Sequence, residues 1–288
     1  MTPGRRRINR RSSVGQTGRP SPALTAVGVV GLLVLLTPLL ALVLTAPWGR
    51  MVGLLTSPSA RSALWLSLAS AILATLIATA LGVPLAALLA GGISSDRLRA
   101  TVRLAVLVPM VLPPVVIGAG LLAAFGRRAP IGSLLDSWFG WTPTYTFVAV
   151  VMAQLVVAMP FLVISVESAL RARDVEAEEV AYTLGAGRLT TFWHVTLPMI
   201  RTGIGAGALL CFARCLGEFG ATVTFAGNVE GVTQTLPLAI YLALVRDDQS
   251  AVAMSVGLVV VSVVILVGLR GRWVPGLWPD RTTRNRSA

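Results

Sequence analysis

The chain is 288 residues long, 55% hydrophobic and only 12% charged, with a mean hydropathy of +0.79. That balance excludes a water-soluble domain of this length and makes lipid the solvent for most of it. The net charge of +12 rests on arginine alone, since no lysine occurs, so a phosphate-binding loop of the G-x-x-x-x-G-K-[ST] kind is excluded as well.

Residues 1–22 are rich in Arg, Gly, Ser and Pro and read as a flexible basic tail. From 23 to 270 the pattern predicts an all-α, polytopic membrane domain. Runs of roughly 20 apolar residues, enough to cross about 30 Å of hydrocarbon at 1.5 Å per residue, predict about six transmembrane helices. The first, Leu24 to Leu44, is longer than a signal-peptide core and is followed by further spans, so it reads as a retained anchor. Leu64 to Leu89 is the second. The third, Leu104 to Phe125, contains Pro113 and Pro114, which remove backbone donors where only a cavity or a neighbouring helix can satisfy the freed carbonyls. Tyr145 to Val166 is the fourth.

A polar segment, 167–201, comes next, with Glu167, Asp174, Glu176, Glu178 and Glu179 among its arginines. Short helices joined by a turn at Gly185-Ala186-Gly187 suit it. The fifth span, Ile204 to Phe225, follows Gly203 and shares with it Gly207, a spacing that lets helices approach closely. Cys211 and Cys215 act there as small apolar residues. Arg214 falls near the centre of this span, with Glu218 one turn later and Thr222 continuing the same face. A charge at that depth costs about 2.5–3.5 kcal/mol on insertion scales, so it faces protein or water. The pair reads either as an intrahelical salt bridge or as part of a passage. Leu236 to Val245 is too short to cross and reads as interfacial or re-entrant. Ala251 to Leu269 is the sixth span, and 271–288 forms a second polar tail.

Arginine placement sets the orientation. The N-terminal tail, the second and fourth connections and the C-terminal tail carry most of the 24 basic residues, while the opposite face holds only Arg50, Arg61, Arg127, Arg128 and Arg246. Both termini are therefore expected in the cytoplasm of a cell carrying the chain in its inner or plasma membrane. Charge spread along membrane flanks suits anionic lipid heads and not nucleic acid. His194 is the single histidine and has no metal-ligand partners at the right spacing, and no catalytic constellation is present.

Within the polar segment, Glu179-Val180-Ala181 is followed by Gly185 and then by Val195-Thr196-Leu197-Pro198. This resembles the coupling loop of importer permeases of the ATP-binding cassette superfamily, which reads E-A-A, three residues, G, nine residues, I-x-L-P. Val180 and Val195 depart from that pattern by small apolar exchanges. The resemblance implies an importer-permease (type I) fold and a loop helix seated in a groove of a separate ATPase subunit. Glu178, Glu179, Ala181, Gly185, Ala186, Leu197 and Pro198 are the coupling residues it points to. In it, small residues at Ala181, Gly185 and Ala186 permit close approach, while Glu178 and Glu179 meet basic partners or cap the helix start.

Further on, Gly217-Glu218-Phe219-Gly220 leads into Ala221-Thr222-Val223-Thr224-Phe225-Ala226-Gly227-Asn228 and then Thr233-Gln234-Thr235-Leu236-Pro237. This stretch resembles the oxyanion branch of the same superfamily and is more similar to molybdate than to sulfate permeases. The expected pathway residues are Arg214, Glu218, Thr222, Thr224, Asn228, Gln234, Thr235, Pro113 and Pro114. A dianion carries about four times the Born penalty of a monoanion of equal size, so hydroxyl and amide donors without tight binding suit its passage. The same groups also serve as ordinary helix caps.

The resemblance implies a non-hydrolysing subunit that binds no cofactor, since ATP is used by its partner. Its partners would be paired ATPase subunits, an external substrate-binding protein and a second permease copy. The implied cargo is molybdate, with tungstate as the second candidate. The competing readings are a sulfate or thiosulfate permease of the same architecture and an ion-coupled secondary transporter, whose inverted repeat with ion-binding carboxylates is not evident.

Overall fold

The computed structural model describes residues 21–273. The two expected tails thus lie outside the described residues, apart from 21–22 and 271–273. All regular structure among the described residues is helical. Five helices are long and apolar enough to cross a membrane, or six when one bent pair counts as a single broken span.

Helix α1, Pro22–Thr45, begins where Ser21 Oγ accepts the Leu24 N–H at 3.3 Å. Proline at the first helical position loses nothing there, because that N–H has no intrahelical acceptor. None of its residues is buried, as suits a helix solvated by lipid, and it belongs to the first of two compact units, which ends at Thr45.

The second unit begins with the short helix α2, Met51–Leu55, and continues with α3, Pro58–Ala87, capped by Ser57 Oγ on the Ala60 N–H. A π-helical turn, Leu88–Gly92, extends α3. The buried face of α3 is lined by Ala63, Ala71, Ala74, Ala78, Gly82 and Ala86. Lipid gives apolar helices no hydrophobic reason to associate, so close packing of such small residues must hold them together.

Helices α4, Asp96–Val111, and α5, Pro114–Phe125, replace the continuous third span expected from Leu104 to Phe125, and they are bent by 114°. The cause is local. Each proline forces its predecessor out of the helical region, so Leu112 has ψ 140° and Pro113 ψ 133°. Helix α6, Pro130–Phe139, which the sequence reading left unassigned, closes at the left-handed Gly140.

Helix α7, Phe147–Ala172, is the central element, packed against α3 on one side and later against α10. The polar segment folds into α8, Glu176–Thr183, α9, Arg188–Thr191, and a π-helical turn, Phe192–Thr196, which runs straight into α10, Leu197–Leu216. A Cβ on Gly203 would lie 2.3 Å from Ala169 Cβ, and one on Gly207 2.9 Å from Ser165 Cβ, so both glycines let α10 approach α7. Ser165 Oγ completes the contact by donating to the Gly203 carbonyl at 3.1 Å.

The fifth span departs from expectation. It ends at Leu216, breaks over Gly217 to Phe219 and resumes as α11, Gly220–Phe225. Arg214 therefore sits in the last turn of α10 and not at mid-span, and Thr222 belongs to a different helix from Arg214. The short apolar stretch forms α12, Leu236–Arg246, and α13, Asp248–Trp273, completes the described chain.

Candidate coupling loop and conduit

Helix α8 ends in a tight motif built on Gly185. The Ala186 N–H reaches the Ala181 carbonyl and the Gly185 N–H the Tyr182 carbonyl, both at 3.0 Å, with Gly185 at φ 87°. This is the helix stop that favours a left-handed residue at its hinge, so Gly185 is demanded by backbone conformation. Ala181 and Ala186 are half-buried. Leu197 packs on the main core, and exposed Pro198 opens α10.

The two adjacent glutamates point to different places. Glu179 is exposed, whereas Glu178 is only 7% exposed and turned into the protein. Its Oε1 lies 2.7 Å from Arg173 Nε and its Oε2 3.0 Å from Arg173 Nη2, a bidentate pair. Thr196 Oγ1 donates to the same Oε1 at 2.5 Å. The Arg173 bond, helped by Thr196 and opposed by burial, holds the Glu178 carboxyl below the usual glutamate range. The same bond raises the Arg173 guanidinium further.

A second charged cluster lies higher on α7 and was not singled out from the sequence. Glu167 Oε1 accepts from Arg103 of α4 and, at 2.9 Å, from Arg171 Nε; Arg171 Nη2 also donates to the Leu89 carbonyl at 3.1 Å. One carboxylate thus joins α4, α7 and the π-helical end of α3. The four-residue spacing of Glu167 and Arg171 was a visible signal for part of it, while the 64-residue separation of Arg103 and Glu167 was not.

Of the expected conduit residues, Pro113, Pro114, Arg214, Glu218, Thr222 and Thr224 lie at or beside the two helix breaks, while Asn228, Gln234 and Thr235 lie on the segment between α11 and α12. Gly220, which opens α11, faces Pro114, which opens α5: a Cβ on Gly220 would be 3.0 Å from Pro114 Cβ. Glu218 is 1% exposed, pairs with Arg214 and accepts the Ala221 N–H at 2.9 Å. Thr222 and Thr235 are buried with hydroxyls that lack a hydrogen-bond partner. The other donors are engaged: Thr224 Oγ1 donates to the Gly220 carbonyl at 2.8 Å, and Gln234 Nε2 to Asn228 Oδ1 at 2.9 Å. Asn228 lies at the surface. Pro113 and Pro114 make the bend itself.

Two buried polar residues escaped the sequence reading. Gln154, on α7, donates from Nε2 to the Cys215 carbonyl at 3.2 Å, and Ser67 Oγ on α3 accepts the Leu236 N–H at 2.6 Å. A lone glutamine inside a 26-residue apolar helix was the available signal for the first. The Arg214 charge is matched by Glu218, so this pair leaves no net charge at the break between α10 and α11.

The family described as binding-protein-dependent transport system inner membrane component matches residues 82–277. The molybdenum transport system permease protein ModB of Mycobacterium tuberculosis (strain ATCC 25618 / H37Rv) is 46% identical over 244 residues, spanning 85% of this chain and 91% of that protein. The protein of the same name from Escherichia coli (strain K12) is 39% identical over 176 residues, 61% of this chain and 77% of its own. In fold, the chain is similar to a crystal structure of a bacterial alginate ABC transporter in complex with an alginate pentasaccharide-bound periplasmic protein. That likeness has a TM-score of 0.67 at 19% identity and covers 86% of this chain and 91% of that one.

Proposed function

The chain belongs to the family of binding-protein-dependent transport system inner membrane components, and from that membership we propose that it is the membrane permease of an ATP-driven molybdate importer. The observation that carries the cargo is the 46% identity, over most of both chains, to a permease named for molybdenum transport. Tungstate, of the same charge and shape, is the second cargo we propose.

In this reading a separate ATPase chain docks on the loop around α8, through Glu179, Ala181, Gly185 and Ala186, and two copies of the permease line the passage. Both termini and the loop face the cytoplasm, where the arginines concentrate. Nucleotide binding shifts the pair between inward-open and outward-open states, and an external binding protein delivers the anion to the outward-open one. The anion then passes beside the α5–α11 contact, where half-buried Thr224 lies against Gly118.

Reconstitution into proteoliposomes with the ATPase and the binding protein tests the reading. Molybdate uptake requires enclosed ATP, and tungstate but not sulfate competes. Uptake of sulfate alone would replace the cargo, and uptake driven by an ion gradient without ATP would replace the mechanism.

A further inference from the structure

Given that the loop receives an ATPase, a reading on which this inference rests, its displacement must still reach the spans. Helix α8 packs on α9 and the following π-helical turn, while a cavity of about 270 Å³ lined by Ala90, Gly91, Arg173, Tyr182 and Phe192 lies between it and the end of α3. Its two covalent links, residues 173–175 before it and 184–187 after it, are non-helical. A short helix joined by such links and backed by a cavity keeps freedom to move apart from the spans unless a side chain ties it to them.

One carboxylate removes that freedom. Glu178 takes two bonds from Arg173, the residue that ends α7, and one from Thr196, the residue that precedes α10. Arg173 is itself anchored to α7, through Nη1 to the Leu170 carbonyl at 2.5 Å. The Glu178 side chain is 9% exposed and that of Arg173 23%, and both, with Thr196, line that cavity. Helices α7 and α10 are in turn locked together by Gly203, Gly207 and Ser165. We propose that Glu178 is the positioning residue that makes α8 and the feet of α7 and α10 move as one body, so that a push on the loop displaces the conduit walls.

The test uses the full complex in proteoliposomes, with wild-type ATP-driven uptake measured first; its absence would count against the proposed function and not against this link. Arg173→Gln and Thr196→Val are then compared. Both are expected to copurify with the ATPase and keep its unstimulated turnover. Turnover stimulated by the loaded binding protein, and uptake with it, fall roughly tenfold in Arg173→Gln, within the range usual for coupling between sites. Thr196→Val loses less. The charge swap Arg173→Glu with Glu178→Arg restores part of the stimulation, which recovery of bulk stability alone would not separate from unstimulated turnover. Full stimulation in Arg173→Gln would overturn the proposal, as would a loss matching only the amount of complex recovered. Should Arg173→Gln fail to insert, Thr196→Val decides: reduced stimulation in an assembled complex supports the link, and unchanged stimulation refutes it.

Discussion

Glu218 Oε2 lies 2.6 Å from Arg214 Nη1 in the last turn of α10, while its other oxygen accepts the Ala221 N–H at 2.9 Å in the first turn of α11. A cation at a helix C-terminus and an anion at a helix N-terminus are each favoured by the helix dipole, so the pair welds the break between the two helices. With Glu218 1% exposed, loss of its partner leaves a buried charge uncompensated.

Arg214→Met is therefore expected to destabilise by about 3 kcal/mol, the range for breaking a buried pair, while Arg214→Met with Glu218→Gln recovers most of it. Thermal unfolding of the detergent-solubilised single and double variants measures this. Additive losses would show that the two residues are not energetically paired.

Gly185 stands in open space at φ 87°, so the cost of replacing it is conformational. Gly185→Ala should cost about 1–2 kcal/mol, and Gly185→Asn less, because asparagine tolerates the left-handed region. Circular dichroism melts and copurification of the ATPase would follow that order. Gly185→Trp adds bulk at the proposed docking face and should abolish ATP-driven uptake in protein that still inserts.

Gly203→Ala places a methyl where Ala169 Cβ would be only 2.3 Å away. The overpacking should cost about 1–3 kcal/mol. Ala169→Gly in the same chain makes room and should restore the melting temperature, an outcome that a lipid-facing Gly203 would not give.

Acid should loosen the loop around α8. The Glu178 carboxyl sits below its ordinary value of 4.5 in the folded chain, chiefly because Arg173 binds its ionised form. A lowered folded value means that its contribution is complete above the unfolded value and is lost as pH falls through the folded one. Exchange of the α8 amides should thus be flat from neutral pH down to about 5 after correction for intrinsic rates, and should rise below that. Arg173→Gln should abolish the acid-dependent step.

Apolar length made α1, α3, α7 and α13 legible in the sequence, because each needs only enough hydrocarbon to cross. The breaks were harder. Pro113 and Pro114 signalled a disturbance, but a bend of 114° depends on α5 finding α11 as a partner, which is tertiary information. The break after Leu216 was masked by Glu218 itself, since Arg214 and Glu218 have the spacing of an intrahelical pair. Helix α6, only 10 residues long, lacks the apolar run that revealed the spans. Composition marked 167–201 as a polar segment of short helices, but adjacent residues on a helix differ by about 100° in direction, and only the fold shows that Glu178 turns inward and Glu179 outward.

The central claim is that a separate ATPase grips this chain at α8. Cysteine placed at Glu179 and cross-linked in native membranes, with Cys211 and Cys215 replaced by serine, tests it most directly. The account predicts a cross-link to the nucleotide-hydrolysing subunit and labelling only by reagents that reach the cytoplasm. Labelling of that cysteine from the external side, or no cross-link to such a subunit in transporting membranes, would contradict it.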